Sequence, residues 1–108
     1  MKAYAMAFLY DVVLGDEILA YIKGIDDTII PFGGKFIIHG DTPSVKEGSW
    51  DKDIIVIEFP SMKMAEDWYH SPDYEKIKDF RTRNSKGTLL IVDGVGETHK
   101  AIDILSRF

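Results

Sequence analysis

Ile54-Ile55-Val56-Ile57-Glu58-Phe59, stopped by Pro60-Ser61, is a short β-branched run bounded by a residue that cannot donate to a sheet ladder. It reads as a strand. Alternation across the pleat sends Ile55, Ile57 and Phe59 one way and Ile54, Val56 and Glu58 the other, so both faces are mainly apolar. Three further runs share this character. Residues 3–10 alternate Ala3, Ala5 and Ala7 with Tyr4, Met6, Phe8 and Tyr10, which is period two. Residues 35–39 follow Gly33-Gly34 and are closed by Gly40, and residues 88–92 follow a turn at 84–87.

Two stretches of helical spacing separate these runs. Asp16 and Glu17 open the first, with Ile18, Leu19, Ile22 and Ile25 on one face, and Gly24 and Pro31 are expected to interrupt or end it. Ser61 caps the second, which runs to about His70. Ser71-Pro72 then restarts it, with Tyr74, Ile77, Phe80 and Arg81 following. Residues 41–53, with Pro43 and Gly48, form a hairpin loop, and residues 97–108 carry Ile102 and Leu105 at the spacing of a short final helix. The order β, α, β, β, α, β predicts an α+β, ferredoxin-like domain: a four-stranded antiparallel sheet with helices on one face. One chain supplies helices for only one face of a sheet that is apolar on both. A second copy of the same sheet is the simplest cover for the other, which predicts a homodimer.

The chain has 108 residues, 45% hydrophobic and 29% charged, the size and balance of a single globular domain. A net charge of −5 argues against nucleic acid and anionic membranes as partners. The basic residues form no patch, since Lys76, Lys78, Arg81 and Arg83 interleave with Glu75 and Asp79. Without cysteine there is neither a thiol nucleophile nor a Cys-based metal site, and a reducing cytoplasm suits such a chain. The apolar run 3–10 is too short to span a membrane, and no signal-peptide cleavage site follows it.

Several stretches form a recurring pattern: Gly33-Gly34-Lys35-Phe36 with His39-Gly40, Glu47-Gly48-Ser49-Trp50, and Ile57-Glu58-Phe59-Pro60-Ser61. It continues through Ala65-Glu66-Asp67-Trp68-Tyr69-His70-Ser71-Pro72-Asp73-Tyr74, Arg81 and Val92-Asp93-Gly94-Val95. This resembles the family called domain of unknown function 1330, a branch of the dimeric α+β-barrel superfamily, over nearly the whole chain. The resemblance implies the ferredoxin-like fold and a barrel-type dimer but no particular activity, because the superfamily spans several chemistries. The family commonly has Arg at the end of strand two, where this chain has His39. An anionic group held there would be met only by a protonated imidazole.

His39 and Glu58 close adjacent strands, on the side-chain sets that carry Ile37 and Val56, and are the candidate proton-transfer pair. Trp68 and Tyr74 flank the helix break and are candidate walls of a cleft between helices and sheet. Arg81, seven residues beyond Tyr74, is the candidate anion-holding group. The three histidines have no metal-ligand spacing, and no cofactor is expected. Ser71 is explained by capping and Gly33-Gly34 by strand entry, so neither is a nucleophile or a phosphate loop. Two functions fit: binding or transforming a small, largely apolar molecule in the cleft, or a non-catalytic dimeric module for ligand sensing or stress response.

Overall fold

The computed structural model describes residues 1–108. Its elements are β1 (Ala3–Tyr10), α1 (Asp16–Ile29), β2 (Lys35–His39), β3 (Asp53–Phe59), α2 (Met62–Tyr69), α3 (Pro72–Thr82) and β4 (Lys86–Asp93). The strands form one antiparallel sheet in the order β2-β3-β1-β4. This is the ferredoxin-like βαββαβ arrangement, with its second helix broken into α2 and α3. β4 is longer than its apolar centre predicts because β1 pairs with it from Ala3↔Asp93 to Tyr10↔Lys86.

Helix α1 runs through Gly24, against expectation. Its apolar face, with Ile18, Ile25 and Ile29 buried, outweighs the roughly 1 kcal/mol that a mid-helix glycine costs. Pro31 lies in the 3-10 turn Ile30–Phe32 that ends the helix. Gly33 then takes φ +73°, and a Cβ on Gly34 would stand 2.7 Å from the Phe59 ring. The glycine pair is therefore set by backbone conformation and close approach. Ser61 accepts from the Met64 amide at 3.2 Å. Ser71 accepts from the Tyr74 amide at 3.3 Å and donates to the Trp68 carbonyl at 2.7 Å, joining the end of α2 to the start of α3.

Phe59, Trp68 and Tyr74 are fully buried and fill one end of the space between helices and sheet. The Trp68 ring centroid lies 4.3 Å from that of Tyr74 and 5.3 Å from that of Phe59. Its indole N–H donates to Thr28 Oγ1 at 3.0 Å, and that hydroxyl donates to the Ile25 carbonyl at 2.7 Å. Ala3, Ala5, Ala7 and Leu9 face the helices from β1, while Tyr4, Met6 and Phe8 face away. On that open face Ile38, Leu90 and Val92 are substantially exposed, and Trp50 from the long loop packs edge-on against Phe8 at 5.8 Å. The tail forms a 3-10 helix, Ala101–Arg107, with no buried residue. No helix is long and apolar enough to cross a membrane.

Replacing Thr28 by Val keeps the shape but strands the buried Trp68 N–H. A loss of about 1–3 kcal/mol in urea unfolding is expected; an unchanged midpoint would show that the bond contributes nothing.

Candidate functional site

The far end of the helix–sheet layer is not filled. Beneath the N-terminal part of α1 the sheet presents the small Ala5 and Ala7 beside Leu9 from β1, and a cavity of about 260 Å³ opens there. Ile18 and Ile22 of α1 roof it, Ile55 and Ile57 of β3 form a side, and Trp68 closes the inner end. The outer rim is made of exposed residues: Leu14 from the loop after β1, His39 and Gly40 at the end of β2, and Asp53 at the start of β3. Most of the lining is apolar, with polar groups confined to His39, Asp53, Tyr21 and Arg81.

The sheet takes the expected proton-transfer pair apart. Lys35 stands opposite Glu58 and Phe36 opposite Ile57, but Ile38 stands opposite Val56 and His39 opposite Ile55. The register slips between Phe36 and Ile38, so strict alternation fails across β2. His39 is thereby turned onto the helix side, stacked on Phe36 with ring centroids 4.4 Å apart. Glu58 lies on the open face, with Lys2 Nζ at 3.2 Å and Lys35 Nζ at 3.6 Å. The two do not converge on one pocket, because a one-residue bulge exchanges the faces of everything beyond it.

Arg81 projects from α3 into the cavity wall and is only 8% exposed. None of the chain's ion pairs involves it. Its Nε–H is buried without a hydrogen-bond partner. The guanidinium carbon stands 5.8 Å from the centre of the Tyr21 ring, and the Tyr21 and Tyr74 hydroxyls are 2.8 Å apart. Burial works against the arginine's charge, but the phenols of Tyr74 and Tyr21 outweigh it, and its pKa lies above the ordinary value. Arg81 is thus a fixed cation at the inner wall. Burial, then the adjacent Tyr74, pushes Tyr21 far above the usual tyrosine pKa, with Arg81 a smaller opposing influence. At neutral pH Tyr21 is a neutral phenol that donates or accepts a hydrogen bond.

His39, Trp68 and Arg81 therefore line one cavity. Tyr74 is fully buried behind Tyr21, and Glu58 is across the sheet. The sequence reading missed Tyr21, Ala5 and Ala7. Tyr21 lies at helical spacing from Ile18 and Ile25, and the alternate alanines of β1 were visible as a period without being read as missing volume. No group of three or more His, Asp or Glu residues comes together as a metal site.

Because Tyr21 holds its proton longer folded than unfolded, the unfolded chain binds fewer protons above about pH 10. Stability should be flat in this respect below pH 10 and fall above it, by up to about 1.4 kcal/mol per pH unit. In Tyr21→Phe that fall should be shallower; denaturant melts at stepped pH that give identical slopes would refute the assignment.

A family model described as a domain of unknown function, DUF1330, matches residues 2–95. No curated protein matches the chain. Among solved structures, the chain is similar to the methylated RPA0582 protein, with a TM-score of 0.66 at 16% identity over 91% of this chain and 84% of that one. It is equally similar to the RPA0582 protein of unknown function from Rhodopseudomonas palustris, with a TM-score of 0.65 at 16% identity, covering 88% and 83%. These likenesses concern the fold. Since the family model spans nearly the whole βαββαβ unit, the chain belongs to the DUF1330 family.

Proposed function

We propose that this protein binds a small, largely apolar molecule in the cavity between α1 and the sheet, as one half of a homodimer paired through the open sheet face. The observation that carries the binding reading is the cavity itself: about 260 Å³ of mostly apolar wall with a few inward polar groups and an accessible rim. Such concave, apolar sites with sparse polar groups are the usual form of small-molecule pockets. An engineered apolar cavity of about 150 Å³ accepts benzene, so a larger molecule fits here. Binding is favoured over turnover because Glu58 is held by two lysines on the opposite face from His39. Trp68 and Arg81 are then ligand-contacting residues, His39 is a rim residue, and Tyr74 acts through Tyr21.

The pairing rests on Ile38, Leu90 and Val92, each more than two-fifths exposed on a face that no helix of the chain covers. A second copy presents the same apolar rows and satisfies two-fold symmetry.

Ala7→Leu fills the cavity floor. It should abolish the chemical-shift changes that ethylbenzene or indole causes in wild type, with stability altered by no more than about 3 kcal/mol. Undiminished shifts in the variant would remove the cavity as the binding place. Leu90→Glu places a charge on the open face and should convert dimer to monomer in light scattering at micromolar protein. A wild type that is monomeric at every concentration would refute the pairing.

A further inference from the structure

We infer that the molecule held in the cavity is a monocarboxylate of about ten non-hydrogen atoms, its carboxylate on the guanidinium of Arg81 and the hydroxyl of Tyr21. This rests on the cavity reading and adds the chemistry of the ligand to it.

Arg81 is the buried polar group that the rest of the molecule does not explain. It is more than nine-tenths buried, pairs with no carboxylate, and keeps a buried Nε–H without an acceptor. A buried cation left unpaired is costly, and leaving its N–H unbonded adds to that cost. A methionine or leucine would fill the same volume more cheaply if packing were the purpose. An anion arriving through the cavity supplies the missing countercharge to the guanidinium.

The neighbouring phenols say what kind of anion. Tyr21 and Tyr74 share a hydrogen bond at 2.8 Å, and either oxygen can donate. Two hydroxyls carry two protons and this contact uses one, so when Tyr74 donates, the Tyr21 proton remains free to face the cavity. One guanidinium N–H and one phenol O–H match the two oxygens of a planar carboxylate. A second negative charge on the ligand has no fixed countercharge: the walls beyond Arg81 are Ala5, Ala7, Ile18, Ile22 and Ile55, and the rim sets the carboxylate of Asp53 near His39. The volume, somewhat under twice that of a cavity that takes benzene, sets the size at about ten non-hydrogen atoms.

Octanoate and phenylacetate, each titrated calorimetrically beside its neutral amide, test the inference on the full chain. Both acids should bind wild type at least about 10-fold more tightly than octanamide and phenylacetamide. Arg81→Met should weaken the acids about 10- to 100-fold and leave the amides unchanged. If Arg81→Met does not fold by circular dichroism, Tyr21→Phe serves, with a smaller loss confined to the acids. Acids and amides of equal affinity for wild type would overturn the carboxylate while leaving the cavity reading intact. If neither class binds, both readings fall together. Binding of the acids that survives in Ala7→Leu would place them elsewhere and likewise overturn the inference.

Discussion

The indole of Trp68, wedged among Phe59 and Tyr74 and bonded to Thr28, is the contact on which the helix layer depends. It ties α2 to the C-terminal end of α1 through a hydrogen bond buried where no water competes. Three bulky rings there set the spacing between helices and sheet. At the other end of α1 the same spacing meets alanines. Rigid helices cannot bend locally to close so wide a gap, so the volume stays open as a cavity. The pocket is thus a consequence of how aromatic and alanine residues are distributed along one layer.

A second constraint sorts the polar residues. The sheet has one face under helices and one without, and a single register slip in β2 decides which side His39 joins. Glu58 is left with Lys2 and Lys35 in a partly exposed cluster whose chemistry is that of charge compensation on the open face. His39 instead becomes part of the cavity rim beside Asp53. The chemical character of the site therefore passes from an acid–base pair to an apolar chamber with one deep cation. Tyr21, held neutral by burial, supports that cation as a ring face and a hydrogen-bonding oxygen.

Membership of the DUF1330 family and likeness to solved structures agree with the βαββαβ architecture seen in the chain. They say nothing of a ligand, and the fold hosts many functions. What shapes the cavity is local: the alanines of β1, the break at Ser71-Pro72 before α3, and the arginine carried on the inner side of α3.

The element order, the two capping serines and the sheet apolar on both faces were determined by the sequence alone, because period, capping and β-branching act over a few residues. The extended run at 3–10 needed nothing beyond its own alternation, and that at 35–39 nothing beyond its flanking glycines. Gly24 was misread because helix propensity is weaker than the burial of Ile18, Ile25 and Ile29, which only packing supplies. Pairing His39 with Glu58 failed for a related reason: a bulge is a property of two strands together, invisible in either one. Only the tertiary structure decided that Arg81 is buried without a partner and that the alanines of β1 floor a cavity. An empty space and an unmet charge are relations between distant segments, and no local pattern records them.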